Sequence, residues 1–170
     1  NVAEVSSTIG MPSGQWYWEF NVVSANTTYA YGCALGISNQ ASNGTASIFA
    51  TTVYFYNAKS GEKGTTASGS LVLTAYGASF TAGDVIGVAL DMTNGKVYFS
   101  KNGTWQTSGD PVAGTGYAFS GLSGAMFIAV GTGSGTNAVT LLNTGTSTFA
   151  YTPPSGYTAW DTTVYSPGVY

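Results

Sequence analysis

The stretch Gly83-Asp-Val-Ile-Gly-Val-Ala-Leu-Asp-Met-Thr-Asn-Gly-Lys-Val-Tyr-Phe-Ser-Lys-Asn-Gly-Thr-Trp105 decides the fold. It reads as two strands joined at Asn94-Gly95. Asn-Gly accepts positive φ at both central positions, so the pair predicts a two-residue type I′ turn, whose twist suits paired strands. Ile86, Val88, Leu90 and Met92 share one face of the first strand, with Val85, Gly87, Ala89 and Asp91 on the other. Beyond the turn, Val97 and Phe99 alternate with Tyr98 and Ser100. A second Asn-Gly, Asn102-Gly103, then turns the chain toward Trp105. This hairpin places a core and names no ligand.

Working outward, period-two alternation recurs upstream. Trp16, Trp18, Phe20 and Val22 lie on one face of residues 15–24, with Tyr17, Glu19 and Asn21 on the other. That pattern predicts a half-buried strand with an aromatic inner face. Residues 2–9 predict a first strand ended by Gly10, and residues 29–38 a third. In the third, Cys33 shares a face with Tyr31, Leu35 and Ile37, as a buried, inert thiol would. Ser38–Ser47 reads as a polar loop before a strand over Ile48–Asn57, where both faces carry bulk. Residues 57–69, with Lys59 and Lys63, read as an exposed hairpin or loop, and 70–76 and 79–80 as short apolar pieces. Ala125–Val130 and Ala138–Asn143 are two more strands around a Gly131–Asn137 turn, and Thr148–Tyr151 a last short one. No segment pairs 3.6-residue periodicity with a helix cap. The expected class is all-β, an antiparallel β-sandwich with almost no helix.

The 170 residues fit one domain able to bury a core. The expected organisation is a single sandwich over 1–160 and a C-terminal tail over 161–170. Only 6% of residues are charged, against roughly 25% in an average soluble domain. Solubility must therefore come from Ser, Thr, Asn and backbone groups. The formal net charge of -3 argues against a nucleic-acid partner, which selects basic patches, and offers nothing to an anionic membrane. No apolar run reaches the roughly 18 residues of a membrane-spanning helix. Without an initiator Met or a signal-peptide layout at Asn1, the chain is expected to be processed or excised from something longer.

There is no His, which removes Ser-His and Cys-His nucleophile arrangements and imidazole metal sites, and the single Cys cannot substitute. A carboxylate pair of the glycosidase kind is the remaining catalytic route, from Glu4, Glu19, Glu62, Asp84, Asp91, Asp110 and Asp161. For Glu19, Asp84 and Asp91, in strand and turn positions, hydrogen bonding to backbone is the simpler reading. The run Gly131-Thr-Gly-Ser-Gly135 lacks the Lys, spacing and following helix of a phosphate loop and reads as a turn. No catalytic residue, metal or cofactor is expected. Asn26, Asn43 and Asn102 open N-x-Thr sequons in predicted loops. Tyr54, Tyr56, Tyr98, Trp105, Tyr157, Trp160, Tyr165 and Tyr170 are candidates for exposed aromatics that stack on sugars or anchor a protein. For Tyr54 and Tyr98, cross-strand pairing on a second sheet face is the stronger reading.

Taken in order, Gly14-Gln-Trp-Tyr-Trp-Glu-Phe20, Tyr31-Gly-Cys-Ala-Leu-Gly-Ile-Ser38 and the 83–103 hairpin resemble the SPRY domain family over about residues 5–150. The resemblance implies two packed antiparallel sheets of the concanavalin or jelly-roll type, and a recognition or scaffolding role without catalysis. The Thr/Gly-rich, His-free style is similar to SPRY-like modules of bacteriophage particles and environmental viral proteins. It implies a structural protein on a virion surface or another extracellular assembly, such as a tail fibre or capsid. Its expected partners are copies of itself or neighbouring structural subunits, with a host-surface glycan or protein as a further candidate. The ligand-contact residues of animal members have no counterpart here, so no ligand is implied. Family members carry one or two more strands before the Trp-Tyr-Trp-Glu strand, and a missing strand would leave an unpaired sheet edge. One alternative is a self-assembling filament subunit whose terminal segment completes a neighbour's sheet, with Val164, Tyr165, Val169 and Tyr170 as the assembly residues. The other is a monomeric carbohydrate-binding module.

Overall fold

The structure, a computed structural model, describes residues 3–29, 32–47, 51–67, 69–132 and 139–160. Tyr31, Ile48–Ala50, most of the Gly131–Asn137 turn and the whole of 161–170 lie outside the described residues, including Val164, Tyr165, Val169 and Tyr170. Fourteen strands form two sheets, with no α-helix among the described residues. The first sheet has the order β4 (Asn43–Ser47), β1 (Ala3–Met11), β12 (Met126–Thr132), β3 (Ala34–Ser38), β5 (Val53–Asn57), β6 (Lys63–Thr65), β7 (Val72–Thr74). The second has the order β10 (Thr104–Trp105), β9 (Lys96–Lys101), β8 (Val85–Asp91), β2 (Gln15–Ser24), β13 (Val139–Asn143). Two short strands complete it, β11 (Phe119–Ser120) on β9 and β14 (Thr158–Ala159) on β2.

The alternating residues of the central hairpin and of β2 face each other's neighbours as expected. Trp18 pairs with Val88 and Phe20 with Ile86, and Val88 pairs in turn with Phe99. Their inward side chains meet Leu35, Ile37 and Tyr56 from the opposite sheet in one continuous core. Each such buried side chain contributes about 1.5–3 kcal/mol. Trp160 closes the core at one end, edge-on to Trp18 with ring centroids 5.1 Å apart. Cys33 is buried in the same core, and burial pushes its thiol up to about 12.

The first Asn-Gly turn is not the two-residue type I′ turn expected there, and the second turns the chain toward Trp105 as expected. Asp91 and Lys96 are the last pair before the first turn, so that connection has four residues rather than two. The Asp91 carboxylate accepts the Asn94 backbone N–H at 3.0 Å and its side-chain amide at 2.8 Å, leaving Gly95 with the turn's positive φ, 63°. Asn102 and Gly103 instead stand alone between the Lys101–Thr104 pair, with φ 49° and 78°. That is the type I′ geometry.

One strand falls where polar sequence predicted a loop, β4 at Asn43–Ser47. β6, within the 57–69 stretch, pairs antiparallel with β5, the hairpin that was one of the two readings of that stretch. Thr148–Tyr151 forms no strand, because Ala150 and Tyr151 donate their N–H groups to the Glu19 carboxylate instead of to a neighbouring chain. The strand near the end of the described chain is β14, parallel to β2.

The second sheet is covered on its outer face as well. Tyr17, Ala89, Tyr98 and Tyr157 form a buried cluster there, packed by Trp105 and Phe149. This corrects the expectation of exposed aromatics at Tyr56, Trp105, Tyr157 and Trp160, whereas Tyr54 and Tyr98 pair across strands as read from the sequence. Tyr56, Tyr98, Tyr157 and Trp160 are buried, and Tyr54 and Trp105 are half-buried. For Tyr98, Trp105 and Tyr157 the cause is the segment 149–157 laid across the sheet, which turns an outward aromatic stripe into a second small core, while Tyr56 and Trp160 belong to the core between the sheets. Tyr165 and Tyr170 lie outside the described residues.

Candidate interaction surface

Most of the chain's charged groups are committed to holding turns and straps. Glu19 is fully buried and accepts three donors: the Tyr17 hydroxyl at 3.0 Å, Ala150 N–H at 2.8 Å and Tyr151 N–H at 2.9 Å. Burial, then the Glu19 carboxylate, raises the Tyr17 phenol above its ordinary range. Asp110 caps the Val112 and Ala113 N–H groups, both at 2.9 Å. Asp84 accepts Thr81 N–H at 2.8 Å and the Asn102 amide at 2.7 Å, and pairs with Lys101 at 3.2 Å. Partial burial pushes the Asp84 carboxyl upward, but these three donors outweigh it and hold the group below its usual range. Glu62 accepts the Ser60 hydroxyl at 2.5 Å. Glu4 is buried in the first sheet, with one oxygen taken by the Thr51 hydroxyl and the other unpartnered. For Glu19, Asp84 and Asp91 the backbone reading therefore holds. No cluster of three or more potential metal ligands occurs among the described residues.

The cations are similarly employed. Lys63 donates to Ala118 O at 2.6 Å beside the Phe119 ring, Lys96 to Gly114 O at 2.9 Å beside Tyr117, and Lys101 to Ser79 O at 2.7 Å. Two sequon asparagines also do structural work. The Asn26 side-chain oxygen accepts Thr28 N–H at 2.8 Å, and that residue is buried. Asn102 accepts Val85 N–H at 2.8 Å and spends its amide nitrogen, the atom a glycan would use, on Asp84. Asn43 lies on β4.

What stays unsatisfied is β13. It is the outermost strand of the second sheet, with β2 its only partner among the described residues. Leu141 pairs with Asn21 and Leu142 with Phe20, so these consecutive leucines point to opposite faces. Both are solvent-accessible, Leu141 at 61% and Leu142 at 47%, and Val139 (43%) and Val23 (52%) extend the patch. Among the described residues, nothing buries Leu141 or Leu142 on either face, and the ladder of β13 away from β2 has no paired strand. Natural edges are protected by short length, charge, Pro or bulges. β10 and β7 are two and three residues long, and β4 is polar in sequence. β13 has five uncharged residues and a single irregularity of register at Val139–Thr140. Where β13 ends, Gly145–Pro153 and Ala159 line an open groove of about 580 Å³, with Phe149 and Tyr151 in its wall.

A family model, the SPRY domain, matches residues 15–145, from the first residue of β2 to just past β13. The chain belongs to the SPRY family. SPRY domains are non-catalytic modules of protein–protein interaction. The two-sheet antiparallel architecture is the one the family resemblance implied. No curated protein matches the chain. The unpaired edge that a shortened N-terminal flank implied for this SPRY domain is not at its start. β1 is an interior strand between β4 and β12, and β13, at the other end of the matched region, is an edge strand among the described residues. The sequence held one signal of it. Adjacent leucines in a short strand cannot both face a core.

Proposed function

We propose that this SPRY domain is a structural recognition module whose protein contacts run along the β13 edge and the adjoining 145–153 groove. The observation that carries the reading is Leu141 and Leu142 standing accessible on opposite faces of one uncharged edge strand. An edge of that kind gains on contact twice, through burial of apolar side chains and through pairing of open backbone groups. The proposed setting is an extracellular assembly of the phage-particle type, with copies of the chain or neighbouring structural subunits as partners. Low charge, absence of His and surface reliance on Thr, Ser and Gly support that setting by compositional similarity.

The test is a pair of charge substitutions read by size-exclusion light scattering. Leu141→Lys, on the edge, is expected to reduce association of the chain. Val112→Lys, at an equally exposed position on the loop 106–118, is expected to leave it unchanged. Equal effects, or none from Leu141→Lys, would refute the reading.

A further inference from the structure

β14 fixes where the described chain leaves the sandwich. Thr158 and Ala159 pair with Trp16 and Tyr17 of β2, and the Trp160 N–H donates to Tyr17 O at 3.0 Å. β8 fills the opposite flank of β2 from Gln15 to Asn21, so β14 lies on the flank that β13 occupies further along. β13 ends at Asn143, opposite Glu19, two residues beyond Tyr17. β14 therefore runs along this flank of β2 toward the position that Asn143 of β13 occupies. The turn after β13 blocks the direct step onto the β13 edge. A Cβ at Gly145 would stand 2.5 Å from the Ala159 Cβ, so this turn is packed onto β14 at the crossing point.

The sequence that follows suits an edge of this length. Thr162-Thr-Val-Tyr-Ser166 is five uncharged, mostly β-favouring residues between Asp161 and Pro167. At about 3.3 Å per residue it spans about 16 Å, the length of a five-residue strand. Pro167, lacking an N–H, ends the ladder there.

We propose that residues 161–170 of a neighbouring copy supply the next strand of the second sheet, with Thr162–Ser166 paired to β13 and Leu141 and Leu142 covered. The contact is heterologous, one copy giving its segment and the next its edge, so copies join head to tail. This rests on β13 being the interaction edge.

Two variants of the 170-residue chain separate the halves of the contact. Val164→Pro disables the donor and keeps the edge; Leu141→Lys disables the edge and keeps the donor. Thermal melting confirms that each is folded, and light scattering reads assembly. Each variant alone is expected to raise the half-assembly concentration roughly tenfold or more. An equimolar mixture is expected to give a 1:1 complex that does not grow. If Leu141→Lys blocks assembly and Val164→Pro does not, β13 pairs with something else, and this inference falls while the edge reading stands. If neither variant affects assembly, both fall. A monomeric parent whose melting temperature drops in Val164→Pro would place the segment on its own β13 and overturn transfer between copies.

Discussion

Replacing Glu19 by Ala removes one carboxylate and strands three donors at once. The Tyr17 hydroxyl and the Ala150 and Tyr151 N–H groups all end on it, at 2.8–3.0 Å. A hydrogen bond to a charged group contributes about 1.5–3 kcal/mol, and donors left buried without a partner add a desolvation penalty. Allowing for solvent reaching the two backbone groups once the strap lifts, the expected loss is about 3–5 kcal/mol. That is a large part of the roughly 5–15 kcal/mol that stabilises a domain. The strap's Phe149 packs on Tyr17 with ring centroids 4.9 Å apart, so its release also uncovers the outer cluster. Urea unfolding followed by tryptophan fluorescence reads the effect. With a slope of about 2 kcal/mol/M, the midpoint should fall by about 1.5–2.5 M. Glu19→Gln keeps shape and one acceptor but turns an amide N–H toward a backbone donor, and should lose about half as much. A loss below about 1 kcal/mol for Glu19→Ala would refute the view that this carboxylate pins the strap.

Other outcomes follow from the same geometry. Tyr98 has a buried hydroxyl with no partner among the described residues, so Tyr98→Phe should leave stability unchanged or slightly higher, whereas Tyr17→Phe, which breaks the bond to Glu19, should cost about 1–2 kcal/mol by urea unfolding. Burial, with Asp91 and Tyr117 nearby, pushes the Tyr98 phenol up to about 12. A raised folded-state value favours the neutral form, so this stability is intact below the unfolded value near 10 and is lost as pH rises through about 12. Absorbance at alkaline pH should show the buried tyrosines ionising together with unfolding; smooth ionisation of every tyrosine near 10 would contradict it. Gly36→Ala places a Cβ 2.7 Å from Phe55 Cα, against backbone of the paired strand, and should cost at least about 3 kcal/mol or prevent folding, read by circular dichroism and expression.

The sandwich was legible where side chains alternate with period two. β2, β8 and β9 follow from Trp16–Val22, Ile86–Leu90 and Val97–Ser100. It was not legible where a strand is polar, as in Asn43–Ser47 of β4, since its ladder is backbone and carries no apolar rhythm. The first turn departs from the two-residue form for a local reason. Asn-Gly is the same dipeptide at 94 and 102, but the carboxylate of Asp91 captures the first and imposes a longer loop. The outer aromatic stripe of Tyr17 and Tyr98 was recognisable, but its cover was not, because the strap is held by Glu19 over more than 130 positions of sequence separation. β13 was recognised as a strand. Its edge position depends on sheet order, which the pattern of one strand does not contain.

The most direct measurement is hydrogen exchange at those amides of Thr140–Asn143 that face away from β2, followed as chain concentration rises through assembly. An open β13 edge that receives a strand predicts slow exchange there in the assembled protein and fast exchange in the monomer, with β8 and β9 slow in both. Assembly that leaves those amides exchanging as fast as in the monomer would contradict it.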